Sequence, residues 1–372
     1  MKATSLILLL AVVLSACAPA VTPTPTATPI PPTATPIPAT ADPKALAAEL
    51  DAILQKSNQA GTFDGSVLVA RNGQVILSQG YGFADREKKI PNTAQTKFRL
   101  ASLTKQFTAM AILLLQAQGK LYVQDKYCAY LPDCPEIFKP ITLHHFLTHS
   151  SGIPATTRWL APVDEMLADV KTKSLYFQPG EKFSYTDVGF DLLGKVIETV
   201  SGQSYEAFLQ QNIFEPLQMS NTGYDHLQAD LAKGYSTGRG TDALTPMYPG
   251  GLFAAGALYS TVEDLYRYDQ ALYTDKLLPQ PALSAMFTSQ VPVPDGQYYG
   301  PIYGGQGWGY GYGWFIRPGM SRLILHGGMV PGYRTEMRRY PDDKTTIILL
   351  CNQEAVMLAP AADAIAKKLF GK

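Results

Sequence analysis

Phe98-Arg99-Leu100-Ala101-Ser102-Leu103-Thr104-Lys105-Gln106-Phe107 places a serine and a lysine three residues apart where an apolar helix begins. Ser102 suits an N-cap, and the spacing predicts helix over 103–118. Phe107, Met110, Ala111 and Leu114 fall at i, i+3, i+4 and i+7, and Gly119 closes the run. On such a helix Ser102 and Lys105 share a face with Cβ atoms about 5 to 6 Å apart, so the lysine amine can take the hydroxyl proton and make the serine a nucleophile. Taken alone, a capping serine followed by a solvated lysine accounts for the pattern. The rest of the chain decides between the two.

On the N-terminal side, Asp42-Pro43 gives a cap and a first-turn proline, after which Leu46, Leu50, Ile53 and Leu54 line one helical face. Runs 66–70 and 75–79 are strand-like on either side of Asn72-Gly73, a strong hairpin signal. The far end mirrors this. Runs 333–340 and 345–351 flank Pro341-Asp342-Asp343, and Ala362, Ile365, Ala366 and Leu369 make a last amphipathic helix. A two-stranded hairpin is marginal in water, so both ends are expected to pair into one antiparallel sheet, covered by the terminal helices and by the Ser102 helix. Between them, helical patterns at 143–149, 188–200 and 205–211 predict an inserted, mainly helical lobe. The expected class is α+β: a sheet lobe over 43–120 and 250–372, a helical lobe over 121–249, and a ligand cleft between them.

The chain has 372 residues, 46% of them hydrophobic, and 31 basic against 31 acidic residues, so no charge excess points to nucleic acid. Met1-Lys2 and the apolar run 6–14 have the layout of a secretory signal too short to span a bilayer. Leu14-Ser15-Ala16-Cys17 resembles the lipobox of bacterial lipoproteins, which implies cleavage before Cys17 and lipidation of that residue. An ordinary signal peptide with an incidental cysteine is the alternative. Pro and Thr repeat through 18–42, as in an extended tether of about 3.1 Å per residue. The 43–372 domain is thus expected outside the cytoplasm, lipid-anchored to a bacterial cell membrane. In an oxidising compartment Cys128 and Cys134 can close a short loop as a disulfide, and Cys351 reads as a buried thiol.

Two further motifs stand beside Ser102 and Lys105. Phe183-Ser184-Tyr185-Thr186-Asp187-Val188-Gly189-Phe190 puts a tyrosine at a loop-to-helix junction, and Leu325-His326-Gly327-Gly328-Met329 puts a histidine and two glycines after a strand. With Leu147-Thr148-His149-Ser150-Ser151-Gly152-Ile153-Pro154, these resemble the serine β-lactamase-related family: class C β-lactamases, DD-peptidases and esterases of the same fold. The resemblance covers about 64–353, with three motifs in the family's order. It implies a β-lactamase/transpeptidase-like fold with Ser102 as nucleophile and Lys105 as its partner. Tyr185 then opens the Tyr-x-Asn motif, and His326-Gly327-Gly328 stands in for Lys-Thr-Gly. The backbone N–H groups of Ser102 and Met329 are the implied oxyanion donors, and Asp187, His326, Gly327 and Gly328 the implied substrate-binding positions. A tyrosine acts as base only where a cation such as Lys105 stabilises its phenolate, so either of the two can take the serine proton.

One position departs from the family pattern. Asp187 stands where the family has Asn, and an ionised carboxylate cannot donate the hydrogen bond an amide offers. It favours the charged form of Lys105, which shifts the expected substrate toward an ester or a D-amino-acid peptide and away from a β-lactam. The expected activity is serine hydrolysis through an acyl-enzyme, with a small-molecule or peptide substrate and without metal or organic cofactor. A protein of the same fold that captures penicillin or a cell-wall peptide without turnover is the alternative.

Two other patterns read as structural. His144, His145 and His149 lack an acidic partner at zinc-site spacing and are expected at a helix end and in the core. The alternation from Gly305 to Trp314 lacks P-loop context and reads as a strand edge with aromatics on one face. Loops 158–174 and 298–312 are expected to wall the pocket.

Overall fold

The computed structural model describes residues 42–132, 134–156, 161–228, 230–237, 240, 242–244, 252–294, 306–319 and 322–371. The expected leader, Cys17, the tether through residue 41, and the loop segments 158–160 and 298–305 lie outside the described residues. The described part belongs to one unit, Ala41–Lys372.

The hairpin around Asn72-Gly73 forms as β1 (Gly65–Arg71) and β2 (Gln74–Tyr81). Both turn residues take positive φ, 51° and 78°, which only a residue pair such as Asn-Gly adopts cheaply. Six more strands complete the sheet. They are β3 (Val291–Pro292), β4 (Gly309–Tyr310), β5 (Phe315–Arg317), β6 (Leu323–Val330), β7 (Tyr333–Tyr340) and β8 (Thr345–Cys351). Their order is β2-β1-β8-β7-β6-β5-β4-β3, antiparallel throughout, with Gly65 opposite Cys351 and Arg71 opposite Thr345. The two ends of the chain therefore meet in adjacent strands, as the marginal stability of each hairpin demanded.

Helices α1 (Pro43–Gln59) and α6 (Ala359–Phe370) cover one face of this sheet, and Asp42 caps α1 by accepting from Lys44 N. Leu50, Leu54, Ala362 and Ile365 pack there with Val67, Val69, Ile347, Leu349 and the buried thiol of Cys351. The alternate residues of the same strands, Leu68, Ala70, Ile348 and Leu350, pack on the other face with Phe107 and Met110 of α2 (Thr104–Ala117). This two-sided burial explains why β1 and β8 read as unbroken apolar runs. It also alters the reading of α2, which is buried on every side from Thr104 to Leu115, where the spacing predicted a single apolar face.

The intervening segment carries α3 (Leu143–Leu147), the helix Val163–Val170, α4 (Asp187–Ser201), the helix Tyr205–Leu209 and the short α5 (Phe253–Gly256). Helices α4 and α5 pack against α2. A small sheet, Phe98–Arg99 with Leu258–Ser260 and Gly223–Tyr224, fastens the approach to Ser102 onto this segment. Cys128 and Cys134 are joined by a disulfide. No helix among the described residues is long and apolar enough to cross a membrane.

Candidate active site

Ser102 sits in a 3₁₀ turn, Ala101–Leu103, and α2 starts only at Thr104. The expected N-cap at Ser102 is not formed: no side chain caps either helix start, and the serine hydroxyl is engaged by Lys105 instead. The turn is held from three directions. Leu100 N donates to Leu258 O at 2.8 Å, Leu100 O accepts from Thr335 Oγ1 at 2.8 Å, and β6 passes beneath at Gly328. A Cβ on Gly328 would lie 2.4 Å from both Leu100 O and Thr335 Oγ1, so only glycine allows that approach. Over-determined in this way, Ala101 adopts φ 50°, a strained conformation for a residue with a side chain and one typical of functional turns.

Lys105 is fully buried, which is costly for a cation unless every N–H finds an acceptor. Three do. Nζ donates to Ser102 Oγ at 3.1 Å, to Asp187 Oδ1 at 2.6 Å and to the Ala255 carbonyl at 3.0 Å. The Tyr185 ring lies against the same ammonium, its centroid 5.0 Å from Nζ. Asp187 opens α4, so the loop-to-helix junction expected from sequence is what delivers both Tyr185 and Asp187 to Lys105.

A second carboxyl, unmarked in the sequence reading, stands one turn further along α4. Asp191 is fully buried and accepts from Ala255 N at 2.9 Å, the same residue whose carbonyl meets Lys105. Burial first, and then the charge of Asp187, pushes its carboxyl well above the usual range. Its i, i+4 spacing from Asp187 on a predicted helix was the one available signal.

The third motif is placed on β6, with the His326 side chain enclosed in the fold. Its ring is fully buried, Nδ1 donates to Gly327 O at 2.6 Å, and Nε2 faces Tyr310 Oη at 3.0 Å. Burial, reinforced by the Lys105 charge, lowers its pKa to about 3, so the ring is neutral at physiological pH, with both nitrogens engaged inside the fold. Met329 follows Gly328 on β6, one residue beyond the contact with the serine turn, and is 40% exposed.

The three histidines are engaged separately. His144 Nδ1 meets Tyr312 Oη at 2.9 Å, His145 Nδ1 accepts from Thr142 N at 3.1 Å in a capping box, and His149 is fully enclosed beside Tyr185. The Gly305–Trp314 stretch is not one alternating strand where it is described. Gly309–Tyr310 and Phe315–Arg317 are two strands joined at a turn closed by Gly311 N to Trp314 O, and Gly313, at φ 76°, is pressed against Lys105 O and the Gln106 backbone of α2.

An antiparallel sheet closed by both terminal helices, with a serine and a buried lysine at the head of a central helix, defines a β-lactamase/transpeptidase-like serine hydrolase. The chain belongs to the Beta-lactamase family, whose model matches residues 49–370. It is 31% identical over 334 residues to penicillin-binding protein 4* of Bacillus subtilis (strain 168), covering 82% of this chain and 71% of that one. The octameric penicillin-binding protein homologue of Pyrococcus abyssi superposes with a TM-score of 0.77 at 30% identity, over 87% of this chain and 77% of that one. The D-amino acid amidase of Ochrobactrum anthropi SV3 shares the fold, with a TM-score of 0.75 at 23% identity over 87% and 98% of the two chains.

Proposed function

We propose that Ser102 is acylated by an ester or D-amino-acid peptide, with Tyr185 moving the protons and Lys105 remaining a cation throughout. The observation that carries this reading is the saturation of Lys105. An ammonium has three N–H donors and no lone pair, and all three are directed at Ser102 Oγ, Asp187 Oδ1 and Ala255 O. A lysine so held orients the serine hydroxyl and favours a phenolate at the ring beside it. Tyr185 takes the Ser102 proton as Oγ bonds to the acyl carbon, and the carbonyl oxygen becomes an anion held by the N–H groups of Ser102 and Met329. As the carbonyl re-forms, the leaving alcohol or amine departs with the proton from Tyr185. Water then attacks the acyl-enzyme, gives its proton to Tyr185, and the proton returns to Ser102 as the acid is released.

Asp187 argues for esters and peptides over β-lactams, since its carboxylate is committed to Lys105 and offers no donor to an acyl side chain. The penicillin-binding name of the Bacillus relative supports acylation by a β-lactam as a slower reaction. It also keeps a second reading in view, capture without turnover. The leader, the Cys17 lipobox and the 18–42 tether support an exported, lipid-anchored protein with small-molecule or peptide substrates.

The test is a panel of a chromogenic ester, a β-lactam and a D-Ala-D-Ala peptide, run on the full-length protein and its Ser102→Ala form. Ester or peptide turnover is expected in the parent, with a drop of about 10³-fold or more in the variant. Equal rates in the two would overturn the assignment of Ser102, and one equivalent of stable acylation without turnover would establish the capture reading.

A further inference from the structure

His149 comes from a segment that carried the family resemblance without a chemical role, and Tyr310 from the glycine-rich stretch that read as structural. The fold brings them together at Tyr185. Ser184 N donates to the His149 carbonyl at 2.7 Å and Thr186 N donates to His149 Nδ1 at 3.3 Å, so the residues on both sides of Tyr185 are tied to one side chain and its own backbone. The Tyr185 ring lies over the His149 imidazole with centroids 4.0 Å apart and planes 30° from parallel. His149 itself is held at φ 54°, a left-handed conformation uncommon for residues other than glycine, though less so for asparagine, aspartate and histidine.

The proton positions follow from the two ends. A backbone N–H only donates, so His149 Nδ1 accepts and its neutral ring carries hydrogen on Nε2, which donates to Tyr310 Oη at 3.2 Å. A backbone carbonyl only accepts, so His326 Nδ1 carries hydrogen toward Gly327 O, and its Nε2 accepts from the Tyr310 hydroxyl at 3.0 Å. Tyr310 thus receives one hydrogen bond and gives one, and a single directed chain runs from Thr186 N through His149, Tyr310 and His326 to Gly327 O. All three side chains are enclosed, and burial together with the Lys105 charge keeps both imidazoles neutral. A charged His326 would put a second donor against the Tyr310 oxygen, and a charged His149 would turn an N–H toward the Thr186 N–H.

We infer that His149 and Tyr310 are positioning residues for Tyr185, locking its loop to the β6 strand that passes beneath Ser102. The inference rests on the proposed role of Tyr185 and deepens it. A fully satisfied buried polar chain specifies one arrangement, where an apolar trio of similar volume would allow several. The tyrosine side of the cleft and the serine side are thereby referred to the same strand. Misplacement of a proton-transfer group by about 1 Å is enough to cost about 100-fold in rate.

The test measures phosphonylation of Ser102 by a fluorophosphonate probe on the full-length protein, separating the saturating rate from the half-saturating concentration. Tyr310→Phe removes the bridging hydroxyl and keeps the ring. His149→Asn keeps a side chain that tolerates the left-handed backbone and removes the stacked ring and the donor to Tyr310. Each is also combined with Tyr185→Phe. We expect the saturating rate to fall about tenfold in Tyr310→Phe and about 100-fold in His149→Asn, with half-saturation within about twofold. In the Tyr185→Phe background both changes are expected to cost less than about twofold, because a residue acting through Tyr185 has nothing left to position. Losses that multiply in full on top of Tyr185→Phe, or single variants at the parental rate, would overturn the inference. If His149→Asn does not fold, Tyr310→Phe decides alone. Tyr185→Phe reacting at the parental rate is a separate result that removes the role assigned to Tyr185, and this inference with it.

Discussion

At the scale of single residues, the proposed chemistry turns on how Lys105 is held. In the proposed mechanism its three acceptors make it an organiser of Ser102 and not a proton acceptor, and Asp187 is the acceptor that an amide in the family pattern would not have matched in charge. Asp187→Asn restores a donor toward the substrate and weakens the hold on the lysine. We expect β-lactam acylation to rise about tenfold relative to ester turnover in that variant, read from the two rates measured side by side. A parental β-lactam rate that is already high, and unimproved by the change, would contradict the role given to Asp187. Ser102, Lys105, Tyr185 and Asp187 were legible because their residue types and order carry chemistry in themselves. Asp191, His149 and Tyr310 were not, because what matters about them is a partner supplied by a distant part of the chain: the Ala255 amide, the Thr186 amide and the His326 ring.

At the scale of elements, periodicity located strands and helices well and misjudged their surroundings. The 333–340 and 345–351 runs are strands over those same residues, and α1 begins at the proline that follows its cap. α2 was read as one-sided because spacing reports where apolar residues fall. Thr104, Lys105, Gln106 and Thr108 are nonetheless buried by tertiary contacts that polarity alone does not announce. The start of α2 was misplaced for a related reason: a serine that suits a cap was drawn into a 3₁₀ turn clamped by β6 and β7. That clamp makes its own prediction. Gly328→Ala places a methyl 2.4 Å from Leu100 O and Thr335 Oγ1, so β6 must lift from the serine turn. We expect about a 100-fold loss of acylation rate with the sheet still formed, checked by phosphonylation kinetics alongside thermal unfolding. Parental kinetics would mean that the turn does not depend on this contact.

At the scale of the whole molecule, burying neutral imidazoles links the site to global stability. The folded pKa of His326 is about 3 against an ordinary value of 6.5, so between these limits the unfolded chain binds a proton that the folded chain refuses. Its contribution is intact above about pH 6.5 and is lost as the pH falls toward 3, at up to about 1.4 kcal/mol per pH unit. His149, also lowered, acts in the same direction, whereas the raised carboxyls of Asp64 and Asp191 act in the opposite one. A difference between variants isolates the histidine. His326→Gln is expected to flatten the dependence of unfolding free energy on pH below 6.5, measured by urea titrations at pH 4, 5, 6 and 7, and an unchanged slope would show that His326 titrates normally in the fold. The sheet order has a consequence of a different kind, for timing. Strand β8 lies between β1 and β7, so the first hairpin made on the ribosome has no neighbour until residue 351 has been synthesised. The serine turn is clamped by residues 328 and 335, more than two hundred positions downstream of it. Pairings of such long range form slowly and late. A growing chain therefore carries the Ser102 turn without its clamp through most of its synthesis, and the turn is completed only when the far end folds back.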